Sequence, residues 1–244
     1  MKALISAVVL LVLMATTPLA VAAEFTPAQR AEIVSIVRDA LRRDPSILRD
    51  AVAALQAEEG ERSHASARAA IAAAGDRLIS PDDPVAGNPK GDVTIVEFFD
   101  TRCPYCRKME PAMARLLAED HGVRLVFKDL PILGPASVLG SKALLAAQKQ
   151  GGYEKLREAV MHLPPNTTRA MIEEEAGKLG LDWSRLSHDM EDPAVQSRIQ
   201  ANLDLAQSLG IQGTPAFIVG GDLIPGAVAF DDLKKAVDQV RHGG

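Results

Sequence analysis

Val93-Thr94-Ile95-Val96-Glu97-Phe98-Phe99-Asp100-Thr101-Arg102-Cys103-Pro104-Tyr105-Cys106 contains both cysteines of this 244-residue chain. The run from Val93 to Phe99 is apolar, β-branched and aromatic, so it reads as a strand that ends in a C-x-x-C. A helix starting at Cys103 and running to about Asp120, bent at Pro111, exposes one sulfur at its positive end and favours the thiolate there. Val123 to Phe127 reads as a second strand, and a strand-helix-strand unit implies a parallel pair.

Three readings compete for the cysteine pair. A structural staple is weak, because closing a four-residue loop stabilises by roughly 1.9 kcal/mol against about 3 kcal/mol for fifteen residues. A structural zinc needs four ligands, and none of the five histidines forms a His-x-x-x-His pair. Thiol-disulfide exchange uses what is present: Cys103 attacks from the first helical turn, and Cys106, one turn inside and more buried, resolves the mixed disulfide.

Outside this motif, the first residues read as an export signal over 1–23: Lys2, an apolar stretch from Ala3 to Leu13, and small residues before a cleavage expected after Ala22 or Ala23. Export, to the periplasm or beyond, places the cysteines in an oxidising compartment. A hydrophobic fraction of 47% can build a core, and a net charge of -5 argues against nucleic acid as a partner.

Residues 24–79 read as an N-terminal helical extension. Thr26-Pro27-Ala28-Gln29 is a capping-box pattern, followed by Ile33, Val37 and Leu41 on one helical face. Asp44-Pro45 opens a second helix carrying Leu48, Val52 and Leu55, and a third is expected over 65–74, beyond Gly60. So few bulky residues cannot hold isolated helices, so the stripe over 24–75 needs the body of the chain or other copies of itself.

The body is expected over 80–244. A loop over 80–91 leads into it, and about 136–210 reads as an insertion of short helices broken at Gly151-Gly152, Pro164-Pro165, Gly180 and Asp192-Pro193. Ala216 to Val219 resumes the sheet, Gly220-Gly221-Asp222 turns it, Leu223-Ile224 returns, and a helix over 231–241 closes the chain. Thr214-Pro215 stands just before that strand, and by itself reads as a trans turn.

This order of elements, with Glu97 to Cys106 and Gly213-Thr214-Pro215-Ala216-Phe217 as its most specific parts, resembles the thioredoxin superfamily in its DsbA-like branch. The resemblance implies an α/β thioredoxin fold with a DsbA-like helical insertion and an N-terminal helical extension. It implies that Pro215 is a cis proline beside the cysteines and that the Thr214 backbone pairs with a bound peptide. It also implies that Glu97 is a buried acid of raised pKa exchanging a proton with Cys106. Spacing alone would place Glu97 in solvent, like His121 and His162. Lys128 to Pro135 resembles the family's loop leading into the insertion.

Classical oxidases of the branch carry a histidine where this chain has Tyr105. Tyr105, after Pro104 in the motif, combined with Thr214 is closer to the pairing in disulfide isomerases and reductases of the DsbC and DsbG type, and the segment from Arg42 to Leu48 is similar to the leaders of ScsC and Com1-like proteins, some of which oligomerise. The resemblance therefore implies an exported isomerase or reductase for misfolded secreted proteins, with no cofactor beyond its Cys103-Cys106 disulfide and no metal. Its partners would be a DsbD- or ScsB-like membrane reductant and other copies through 24–75. The alternative is a monomeric oxidase served by a DsbB-like partner, and a rival of another class is a copper-binding or chaperone-like protein.

Overall fold

Both faces of the central strand are buried, which is why its sequence is an almost unbroken apolar run. The computed structural model describes residues 25–243, and the expected export signal over 1–23 lies outside them. The strands β1 (Val85–Gly87), β2 (Val93–Phe99), β3 (Val123–Asp129), β4 (Ala216–Val219) and β5 (Asp222–Pro225) form one sheet in the order β1-β3-β2-β4-β5. β2 and β3 are parallel, joined by α3 (Pro104–Glu119), and every other neighbouring pair is antiparallel. The expected α/β thioredoxin fold is therefore present. β1 was not expected; three residues among Pro, Gly and Asn carry no strand period, and pairing with Arg124 to Val126 makes them a strand.

Alternation along β2 divides the core. Val93, Ile95 and Phe99 face a layer containing Met109, Met113 and Leu116 of α3, whereas Val96 and Phe98 face Val126, Leu205, Leu209 and Ile218. Glu97 falls between Ile95 and Phe99 on the α3 side. The insertion contains α4 (Pro135–Gln148), α5 (Tyr153–Met161), α6 (Arg169–Lys178), α7 (Trp183–Asp189) and α8 (Pro193–Ser208), and α9 (Phe230–His242) ends the described chain. Its breaks fall where glycine, proline and capping aspartates interrupt the helical period; Asp182 and Asp192 cap α7 and α8.

By their contacts the described residues divide into two units, one ending at Ala57 and the other starting at Glu58. In the first, α1 (Pro27–Arg43) begins with the expected capping box: Gln29 N donates to Thr26 Oγ1 at 3.3 Å and Thr26 N to Gln29 Oε1 at 2.9 Å. None of its residues is buried, and Ile33, Val34, Ile36 and Val37 are exposed. Asp44 Oδ1 accepts from Ser46 N at 3.0 Å where α2 (Ser46–Ala74) starts.

α2 corrects the expectation of a break after Gly60, because its 29 residues are continuous. A glycine inside a helix costs about 1 kcal/mol relative to alanine. The surrounding Ala, Gln, Glu and Arg are good helix formers, and Ile71 and Ala74 gain burial in the second unit's core, which offsets that cost. Beyond α2, Lys128 Nζ meets Asp83 Oδ2 at 2.7 Å with both side chains 3% exposed, and Arg198 approaches Asp83 Oδ1 at 3.1 Å. This buried ion pair, with the half-buried Arg198 beside it, fastens the segment leading into β1. Among the described residues no helix is long and apolar enough to cross a membrane.

Candidate active site

Cys103 is the N-cap of α3, and Pro104, which needs no hydrogen-bond partner for its nitrogen, takes the first helical turn. The Cys103 backbone N–H donates to Asp100 O at 3.0 Å, turning the chain sharply off β2. The expectation of an exposed sulfur is corrected: Cys103 is 4% exposed, and its Sγ donates to Thr214 O at 3.1 Å. Cys106 is more buried, at 1%. Both are free thiols.

The second half of the site arrives through β4. Its antiparallel register pairs Ala216 with Phe98, which carries Pro215 and Thr214 to the end of β2 where the cysteine turn begins. The Thr214-Pro215 bond is cis, as the resemblance implied and local sequence did not. Thus two segments from opposite ends of the body meet at one strand end.

Burial pushes the Cys106 thiol well above its ordinary value, and negative charge at Glu97 and Cys103 adds to the rise. The Asp100 backbone opposes the rise, and the Thr214 side chain opposes it to a smaller extent. Glu97 is 3% exposed, and burial raises its carboxyl from the ordinary 4.5 to about 7. Arg157 holds that rise down and Glu110 adds to it. A thiol that ionises reluctantly thus stands near a carboxyl that is half-ionised at neutral pH. Tyr105 is 61% exposed, beside Cys103 and facing solvent.

Three residues of this arrangement escaped the sequence. Arg157, on α5, approaches Glu110 of α3 at 3.6 Å and lies over the Phe127 ring at 4.6 Å, so a cation from the insertion sits beneath the redox helix. Glu110 and Arg157 also line a cavity of about 360 Å³. Nothing local marks either residue, because α5 reaches α3 only through tertiary packing. Asp100 did carry a signal: an aspartate that caps its own turn, accepting from Arg102 N at 2.8 Å. His121 and His162 are exposed, and His162 Nε2 lies 3.8 Å from Glu110. Among the described residues no group of three or more His, Cys, Asp or Glu is placed to hold a metal ion.

A family model described as DSBA-like thioredoxin domain matches residues 94–238, and one described as copper resistance protein ScsC N-terminal domain matches residues 29–62. A solved thioredoxin-like oxidoreductase from Silicibacter pomeroyi DSS-3 is 43% identical, with 68% of this chain and 97% of that chain covered at a TM-score of 0.66. Proteus mirabilis ScsC in a transitional conformation is 29% identical, with 90% of this chain and 98% of that one covered at a TM-score of 0.66. Na(+)/H(+) antiporter NhaA 3 of Salinispora tropica is 32% identical over 162 residues, which are 65% of this chain. This chain spans only a quarter, 25%, of that relative's length.

Proposed function

The chain belongs to the DSBA-like thioredoxin domain family, whose members are thiol-disulfide oxidoreductases, and from that premise we propose that it is an exported disulfide isomerase or reductase. Its substrates are cysteines of unfolded or misfolded secreted proteins. The observation that carries the redox reading is the Cys103 sulfur on the Thr214 carbonyl, next to cis Pro215, with buried Glu97 on the strand that leads into the cysteine turn.

The Cys103 thiolate attacks one sulfur of a client disulfide; a Cys103–client bond forms, the client S–S bond breaks and the other client sulfur leaves as a thiolate. That thiolate can attack elsewhere in the client and return Cys103 unchanged, which is isomerisation. Alternatively Cys106 attacks Cys103 and releases the client reduced by two electrons, leaving the Cys103-Cys106 disulfide. Glu97 accepts the proton that Cys106 loses. The pair is the only redox group this cycle needs, and a membrane reductant of DsbD or ScsB type restores the dithiol.

Tyr105 in place of a histidine supports the isomerase or reductase direction over the oxidase. Exposed Ile33, Val34, Ile36 and Val37 on α1 support a second copy as the leader's partner, because a helix with no buried residue has little to hold it folded alone. Several sites in one assembly raise the effective concentration of thiols around a held client. The decisive comparison uses ribonuclease in two states: the reduced protein should restore activity to the scrambled enzyme. Failure there, with rapid oxidation of reduced ribonuclease by the disulfide form, would instead establish the oxidase.

A further inference from the structure

Asp100 is fully buried, yet its carboxylate is surrounded by backbone donors from two separate segments. Oδ1 accepts from Arg102 N at 2.8 Å in the cysteine turn, while Oδ2 accepts from Ile132 N at 2.8 Å and Leu133 N at 3.0 Å in the loop after β3. Arg102 Nη1 closes the clasp by donating to Leu133 O at 2.6 Å. The side chains presented by that loop, Ile132 and Leu133, are 42% and 43% exposed, although large apolar groups gain by being covered. One buried carboxylate therefore fixes an exposed apolar pair relative to Cys103, whose own N–H is held by the Asp100 carbonyl.

We propose that Asp100 is a positioning residue for client exchange: it locks the Ile132-Leu133 loop to the cysteine turn, so that apolar side chains flanking a client's cysteine are seated while Cys103 attacks. The proposal rests on the oxidoreductase reading. A carboxylate is suited to the role because each oxygen accepts at once, in both directions, without a hydrogen of its own. Asparagine has the same shape but turns one oxygen into a donor, which must face either Arg102 N or the Ile132 and Leu133 pair. The seat would then loosen while the thiols stay in place.

The test compares a small disulfide, oxidised glutathione, with scrambled ribonuclease on the same preparations. Asp100→Asn should raise KM for ribonuclease about tenfold, with kcat and the glutathione rate held within about twofold, because only binding remote from the reacting sulfur is lost. Ile132→Ser with Leu133→Ser, which removes exposed groups only, should reproduce that rise, and adding Asp100→Asn to it should add little. A parallel fall of the glutathione and ribonuclease rates in Asp100→Asn would reduce Asp100 to a support of the turn and overturn the proposal. So would an unchanged ribonuclease KM in the Ile132, Leu133 variant, which decides the matter even if Asp100→Asn does not fold. A native chain that exchanges with neither substrate would refute the oxidoreductase reading, and with it this one.

Discussion

Cys103 Sγ donates to the carbonyl oxygen of Thr214 at 3.1 Å, although 111 residues separate them along the chain. The carbonyl is also a group with which an extended client could pair as an added strand. Under the proposed function, docking of a client there would be linked to release of the Cys103 sulfur through one acceptor.

Cys106→Ser should accumulate mixed disulfides between Cys103 and clients, since attack can begin but the resolving thiol is gone. Cys103→Ser should form none. Non-reducing electrophoresis of each variant after incubation with scrambled ribonuclease reads both outcomes.

Glu97 makes stability depend on pH with a definite sign. Its folded pKa of about 7 lies above the ordinary 4.5, so the folded state holds a proton that the unfolded state has lost, and stability falls as pH rises between those values. The full effect is about 3 kcal/mol. Glu97→Gln stays neutral, so it should match the native chain near pH 4 and exceed it by about that amount near pH 8. Asp129, raised by burial from 3.8 to about 6, should leave a residual slope on the acid side. Denaturant midpoints across this range are the measurement. The same substitution should slow resolution by Cys106 about a hundredfold at pH 7, because the proton acceptor is lost.

Arg157→Met should move the pH dependence of resolution to the alkaline side by about one unit. The guanidinium holds the Glu97 and Glu110 carboxyls down, and its removal lets burial raise both further. Stopped-flow traces of Cys106 attack from pH 5 to 9 would locate the shift; an unmoved midpoint would separate Arg157 from the proton step.

Asp83→Ala should destabilise the body by about 3 to 5 kcal/mol, because Lys128 is left buried without its partner. Replacing both residues, Asp83→Leu with Lys128→Met, should cost less than the single change. Thermal and denaturant unfolding distinguish the two orders.

Ile33→Asp with Val37→Asp in the full chain should lower the mass in solution to that of one subunit if copies associate through α1. Native mass that stays unchanged from the parent would assign the exposed stripe to something else.

The cysteine helix, its flanking parallel strands and the late hairpin were legible because each has a local signature: an apolar run, a capping residue, a glycine turn. Three residues of β1 were not, because they become a strand only by pairing with β3. Gly60 misled in the opposite sense, since a local breaker was outweighed by helix formers and by the burial of Ile71 and Ala74.

Within the site, the chain order alone identified the Cys103 and Cys106 dithiol and its place between a strand and a helix. Resemblance added cis Pro215 and an acid at Glu97. Tertiary structure decided that both sulfurs are buried, that Cys103 meets Thr214, that Arg157 sits beneath the redox helix and that Asp100 clasps a second loop. The division has a physical cause. Turn, cap and period are settled by a few neighbouring residues, whereas desolvation and charge at a buried group depend on which distant segments the sheet register and helix packing bring against it.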